Sequence, residues 1–199
     1  LRHVYAELAE VSKDYHEARQ HANLDKLTGL YNRRFFDERL NRLLLEQHAF
    51  CLAMIDLDGF KLVNDNYGHQ TGDVVLKRVA KLGNQLLEDH GWVCRYGGEE
   101  LVVLLANPDI HFCQMLLEQY RIGVASLDWR EPGLGITFSG GLVASVPGLD
   151  AKGLLDIVDA EVYRAKRDGK NRIYLGGVAP LAQHEVPPAD DGVLSKEEA

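Results

Sequence analysis

Apolar residues fall into segments with different periods. Phe50-Cys51-Leu52-Ala53-Met54-Ile55 is an unbroken apolar run that stops at Asp56-Leu57-Asp58. Such a run predicts a strand buried on both faces at the centre of a sheet. Two further β-rich runs, Trp92 to Tyr96 and Leu101 to Leu105, flank Gly97-Gly98. That spacing predicts a hairpin with a two-residue loop, where glycine supplies positive φ without steric cost. From Leu154 to Arg167, the residues Leu154, Leu155, Val158, Val162 and Ala165 share one helical face, and Gly169 reads as the C-terminal cap.

The two ends differ from this middle. Leu1, Val4, Leu8, Val11, Tyr15, Ala18 and Ala22 recur in steps of three and four. This is a coiled-coil-like seam of about three heptads. A helix packed on its own domain would show the same pattern, but the break at Asn23 to Asp25 favours a stalk. From Gly176 onward the chain is rich in Gly, Pro, Asp and Glu, and Val186 to Gly192 cannot build a core. The expected organisation is a helical stalk over 1–24, one catalytic domain over 25–175 and a disordered tail over 176–199.

Charge and cysteine content narrow the class. Acidic residues outnumber Lys and Arg by 30 to 22 in 199 residues, giving a net charge of −8. An acidic chain is a poor binder of polyanions, so a role on DNA or RNA polymers is disfavoured, whereas a small nucleotide carried with Mg²⁺ is compatible. Cys51, Cys94 and Cys113 have no close partner in the sequence. With no transmembrane run or signal peptide, they read as reduced thiols of a cytoplasmic protein. The chain begins with Leu rather than Met. It is read as an excised piece, which leaves membrane attachment of a longer parent open.

Candidate chemistry lies where the strands end. Alternation places Asp56 and Asp58 on one face and Leu57 on the other. A carboxylate at the end of a buried strand is costly unless it is paired or holds a metal. Asp56, deeper in the apolar run, is the better ligand candidate, and Asp58 reads as a cap of the following turn. Glu99 and Glu100 follow the glycine pair directly. Asp56, Glu99 and Glu100 form an all-oxygen set suited to Mg²⁺ or Mn²⁺ rather than zinc. Plain alternation sends Glu100 to the face opposite Glu99. Either the hairpin twist brings both round, or one of them stands behind the other. No Gly-x-x-x-x-Gly-Lys-Ser/Thr loop is present, so the phosphates need another cradle.

Several stretches together resemble the GGDEF family of diguanylate cyclases. They are Asp25 to Arg34 (DKLTGLYNRR), Asp56 to Lys61 (DLDGFK), Asn64 to His69 (NDNYGH) with Gly72-Asp73, Arg95 to Leu101 (RYGGEEL), Ser139-Gly140-Gly141, and Tyr163 to Asn171 (YRAKRDGKN). Their order and spacing run from about Leu24 to Tyr174, with a GGEEL variant of the signature.

The resemblance implies an α/β (α+β) palm-like domain, with a central, mostly antiparallel sheet flanked by helices. It implies that each domain binds one GTP and that two domains meet face to face. Each 3′-hydroxyl then attacks the α-phosphate of the other GTP, giving cyclic di-GMP and two pyrophosphates. By the same resemblance, Asp56 binds metal through its side chain and Leu57 through its carbonyl, with Glu99 and Glu100 completing the site. Glu99 is expected to assist deprotonation of the attacking hydroxyl. Asn64 and Asp73 read the guanine edge with His69 nearby, and Lys166 and Lys170 hold the triphosphate.

The residue types suit these roles. An Asp accepts from guanine N1–H and the exocyclic amine, and an Asn both donates and accepts. A Ser at position 73 would loosen the choice against adenine. Local pattern alone gives plainer readings: Asn64 as a turn residue before a helix-ending Gly68, and the lysines as complements to a helix dipole. Arg167 reads as solvated.

Four positions depart from the family pattern. Leu101 replaces the commoner aromatic and is expected to face the core. Glu161 stands where a small residue is usual, with solvent exposure or an ion pair to Arg164 as its expected fate. The product-inhibition motif Arg-x-x-Asp is replaced by Glu88-Asp89-His90-Gly91, so tight product inhibition through that surface is not expected. Two other functions compete: a non-catalytic module that binds GTP or cyclic di-GMP as a regulator, and a related cyclase tolerant of adenine. A regulatory protein or fused sensor acting through the stalk of a homodimer completes the expected partners.

Overall fold

A computed structural model describes residues 22–177. The expected stalk up to residue 21 and the expected tail beyond residue 177 lie outside the described residues. The elements run β1 (Tyr31–Asn32), α1 (Arg33–Leu45), β2 (Cys51–Asp58), α2 (Phe60–Tyr67), α3 (His69–Leu87), β3 (Gly91–Arg95), β4 (Glu100–Leu105), α4 (Ile110–Ala125), β5 (Thr137–Ala144), α5 (Ala151–Arg167) and β6 (Ile173–Leu175). The strands form one sheet in the order β1-β3-β4-β2-β5-β6. The β2–β4, β2–β5 and β3–β4 pairings are antiparallel, while β1 and β6 run parallel to β3 and β5 at the two edges.

The apolar run therefore becomes the central strand, with a neighbour on each side. Its alternating side chains feed two cores. Cys51, Ala53, Ile55 and Leu57 pack with Val63 of α2, Val75 and Val79 of α3, and Leu117 and Tyr120 of α4. Leu52 and Met54 pack with Phe36 and Leu40 of α1 and Val158 and Val162 of α5. Asp56 and Asp58 continue the second series, so they share the α1/α5 face of the sheet. α5 lies close on that face: a Cβ at Gly141 of β5 would stand 2.3 Å from the Val158 carbonyl oxygen.

Local chemistry sets the ends of α5. Asp150 caps it, its carboxylate accepting from Gly153 N–H at 2.8 Å. The helix thus starts at Ala151, ahead of the apolar stripe that begins at Leu154, because the cap needs no apolar side chain. At the other end Asp168 is the cap and Gly169 takes φ 111°. Lys170 N–H then reaches back to the Ala165 carbonyl at 2.9 Å, a Schellman closure.

All three cysteines are free and buried. Cys51 and Cys113, distant in sequence, lie in the same core between β2 and α4. Burial pushes the Cys94 thiol up to about 12, so it is unionised at neutral pH. Among the described residues, no helix is long and apolar enough to cross a membrane.

Candidate active site

Asp56 is the register partner of Glu100 on β4 and of Ser139 on β5. Directly opposed residues share a face, so the Asp56 and Glu100 side chains stand side by side at the end of the central strands. Leu57 N–H donates to the Glu99 carbonyl at 3.3 Å, carrying the β2–β4 contact one residue past the strand. Glu99 itself lies in the loop, outside the alternation of β4. This resolves the facing of the glutamates: Glu100 takes its side from the strand, and Glu99 takes its from the loop.

The hairpin differs from expectation in its turn. The loop between β3 and β4 holds four residues, Tyr96 to Glu99, and is closed by Tyr96 and Gly97 N–H groups donating to the Glu100 carbonyl at 2.9 and 3.3 Å. Neither Gly97 nor Gly98 has a positive φ. A Cβ on Gly97 would lie 2.4 Å from Glu100 Oε2, so the Glu100 carboxylate lies over this glycine. Arg95 holds the loop from beneath, donating to the Gly97 carbonyl at 3.1 Å and the Gly98 carbonyl at 2.8 Å. The same guanidinium reaches Asp25 Oδ1 at 3.1 Å, tying the opening segment to the hairpin. Burial works against charge on Asp25. The Thr28 hydroxyl and N–H and then Arg95 outweigh it, holding the carboxyl below its usual range. Sequence reasoning missed this clamp, although an Arg just before a glycine loop could have signalled it.

Lys166, in the last turn of α5, places Nζ 2.6 Å from Asp56 Oδ2. The other carboxylate oxygen, Asp56 Oδ1, is buried and has no hydrogen-bond partner. The Glu99 carboxyl is raised above its ordinary value, first by burial and then by the charge of Asp56, with Lys166 partly offsetting and Glu100 adding to the rise. A buried, unpartnered oxygen beside two further carboxylates fits a hard divalent cation. Among the described residues, no three His, Cys, Asp or Glu side chains already converge as a metal cage. Lys166 is bound to Asp56, and Glu100 is turned over Gly97.

Asp58 does not cap the following turn: α2 starts after Gly59 with no side-chain cap. Its carboxylate instead accepts from Thr137 Oγ1 at 2.7 Å, Ser139 Oγ at 2.7 Å and the Asn171 N–H at 3.0 Å. It fastens β2 to β5 and to the loop after α5. The cap reading failed because that loop arrives from a segment far along the chain.

The purine-reading candidates lie on α2 and α3. Asn64 sits within α2, not in a turn, and Gly68 ends that helix at φ 84° as expected. Asn64 Oδ1 leans over α3, where a Cβ on Gly72 would stand 2.0 Å away. Asp73 is the next residue. His69 and Asp73 lie four apart in the first turns of α3, exposed and on one face. Lys170 is exposed, in a left-handed conformation (φ 62°) between Gly169 and Asn171. Lys166 is thus brought onto the carboxylate site, while Lys170 stands at its margin. Arg167 is exposed and pairs with its neighbour Asp168 at 3.0 Å.

The model of the diguanylate cyclase GGDEF domain matches residues 22–172. The chain belongs to the GGDEF family. It is 37% identical to the diguanylate cyclase DgcP of Pseudomonas aeruginosa over 163 residues, 79% of this chain and 24% of that protein. To VdcA of Vibrio cholerae it is 34% identical over 172 residues, 84% of this chain and 49% of that one. The chain therefore spans half or less of these relatives. Among solved structures, the coiled coil and GGDEF domain of DgcB from Caulobacter crescentus, in complex with c-di-GMP, aligns with a TM-score of 0.79 at 31% identity. It covers 86% of this chain and 95% of that one. The diguanylate cyclase SiaD of Pseudomonas aeruginosa, in complex with its activator SiaC, aligns at 0.78 and 30% identity, covering 87% and 70%.

Within this GGDEF domain the unusual positions have structural reasons. Leu101 is 1% exposed and packs in the core, as expected. Glu161 pairs with Arg164 at 3.0 Å, but its side chain is only 14% exposed, so the ion-pair expectation holds and solvent exposure does not. Glu88 caps α3 and accepts from Asn84 at 2.6 Å. Gly91 admits no side chain: a Cβ would lie 1.9 Å from the Leu104 carbonyl oxygen. The backbone at this corner thus excludes an aspartate at position 91.

Proposed function

We propose that this chain is the catalytic part of a diguanylate cyclase that acts as a homodimer, each copy holding one GTP. Each 3′-hydroxyl attacks the α-phosphate of the other GTP, yielding cyclic di-GMP and two pyrophosphates. The observation that carries this reading is Asp56 facing Glu100 in register at the end of a buried strand, with Oδ1 buried and unpartnered. The bound divalent ion, Mg²⁺ or Mn²⁺, supplies charge neutralisation at the α-phosphate and acidifies the attacking hydroxyl. Asp56, the Leu57 carbonyl, Glu99 and Glu100 would hold it. Glu99, whose carboxyl is raised above its ordinary value by burial and then by the charge of Asp56, is the proton acceptor, since such a rise strengthens a carboxylate base. Asn64, Asp73 and His69 take the guanine, and Lys166 and Lys170 take the phosphates.

Incubation with GTP or with ATP plus Mg²⁺, followed by chromatography, tests the proposal. The expected result is cyclic di-GMP from GTP alone, with a time course unbent by accumulating product because Glu88 and Gly91 replace the inhibitory pair. Absence of any product would favour the regulatory module, and turnover of ATP the adenine-tolerant cyclase.

Gly72→Ala tests the guanine pocket. The new Cβ meets the end of the Asn64 side chain at 2.0 Å, an atom that can swing aside. The fold should survive, since helix propensity offsets part of the crowding. The KM for GTP should rise roughly tenfold with the melting temperature near wild type. An unchanged KM would remove Asn64 from the site.

The segment over 1–24 is proposed as a stalk that raises the effective concentration of one half-site for the other and receives a regulatory protein or fused sensor. The known structures of a coiled-coil GGDEF protein and of a cyclase bound to its activator support this. Removal of residues 1–22 should lower specific activity most at low protein concentration. Unchanged activity and oligomer size would contradict it.

A further inference from the structure

We propose that Lys166 is an internal counter-ion on Asp56 that opposes the divalent ion until a nucleoside triphosphate draws it away, so that the divalent ion binds more tightly with the nucleotide than ahead of it. This rests on the reading of this end of the sheet as a metal and triphosphate site, and adds the linkage between the two ligands.

Asp56 ends an apolar strand, where an uncompensated carboxylate is costly. Lys166 compensates it at 2.6 Å, with the Asp56 side chain 14% exposed and that of Lys166 36% exposed. The other cations of the same turn are engaged elsewhere. Arg164 pairs with Glu161 and lies 4.0 Å over the Tyr174 ring, and Arg167 pairs with Asp168. The helix end that carries Lys166 is fixed by buried Val162 and Ala165 and by the closure onto Ala165. Movement is therefore left to the lysine stem, a compact charge on a flexible chain. An ammonium on Asp56 Oδ2 and a divalent ion on Asp56 Oδ1 repel each other, so each weakens the binding of the other. A triphosphate offers the ammonium a second anion and frees Asp56 for the metal. By linkage, nucleotide must then tighten metal binding and metal must tighten nucleotide binding by one factor.

The test uses Mn²⁺ and the full chain without nucleotide, with free Mn²⁺ followed by electron paramagnetic resonance. Lys166→Met keeps the stem and removes the charge. It should bind Mn²⁺ roughly two- to fivefold tighter than wild type, the range an ion pair of this exposure accounts for. Its affinity for a non-hydrolysable GTP analogue should fall, whereas Lys166→Arg should leave Mn²⁺ binding near wild type. Equal Mn²⁺ affinity of wild type and Lys166→Met would overturn the proposal and reduce Lys166 to a plain phosphate contact. If Lys166→Met does not fold, Lys166→Gln serves. If neither folds, a wild-type Mn²⁺ affinity that is unmoved by the GTP analogue overturns it. None of these readings requires turnover, so a chain that makes no cyclic di-GMP still decides the question. Conversely, an active enzyme with equal affinities defeats this inference alone.

Discussion

Glu99→Gln is expected to lower cyclic di-GMP formation by about 10³-fold, within the range for loss of a general base, while the metal-free protein becomes more stable at neutral pH. Both effects come from one cause. Burial, then the charges of Asp56 and Glu100, hold the Glu99 carboxyl above its ordinary value. The folded protein therefore binds this proton more tightly than the unfolded chain does. The favourable contribution is complete below the unfolded carboxyl pKa of about 4.3 and is lost as pH rises through the folded value. Gln does not titrate and escapes that loss. Melting curves without metal should show the variant ahead of wild type at pH 7.5, with the gap closing toward pH 4. A variant less stable than wild type at pH 7.5 would mean that Glu99 makes a favourable charged contact in the fold, and its assignment as the strained base would be wrong.

Asp58→Ala is expected to cost about 2–4 kcal/mol, because it strips an acceptor from two enclosed hydroxyls, each worth about 1–3 kcal/mol when left unpaired, and from an exposed N–H that water can satisfy. Those donors are the Thr137 and Ser139 hydroxyls and the Asn171 N–H, and Ser139 is fully buried. For a domain of this size the midpoint should fall by roughly 4–16 °C. The loss should reach function as well, because Asn171 adjoins Lys170 and its side chain also accepts from Arg121 at 2.7 Å. Without Asp58 the left-handed turn that presents Lys170 loses its tether to β2. Asp58→Asn retains an acceptor oxygen and should recover part of the stability. Chemical denaturation of the three proteins checks the ranking, and a wild-type midpoint for Asp58→Ala would show that β5 and the α5 loop hold without it.

What the sequence made legible was mostly what short-range pattern determines. The apolar run ending in Asp56 reads as a buried strand, and it lies at the centre of the sheet between β4 and β5. The helix over α5 was legible from its stripe, and Gly169 from its position after the last apolar residue. The Gly97-Gly98 pair gave the right hairpin for the wrong reason. Turn propensity suggested positive φ, whereas neither glycine adopts it in the four-residue loop. Asp58 was misread in the same way: a local cap was plausible, but its partners come from β5 and the loop after α5. Lys166 could be placed near the site only through family resemblance. Its pairing with Asp56 joins two segments far apart in the chain, and no periodicity encodes it.

Carboxylates from the end of β2 and from the β3–β4 hairpin are proposed to gather a divalent ion around a guanine triphosphate. The most direct measurement is anomalous scattering from crystals grown with Mn²⁺ and a non-hydrolysable GTP analogue. The account predicts a Mn²⁺ peak bounded by Asp56 and the Glu99/Glu100 pair, with the phosphates against Lys166 and Lys170 and the base between Asn64 and Asp73. A peak elsewhere, or a nucleotide bound away from the ends of β2 and β4 with Lys166 still on Asp56, would contradict it.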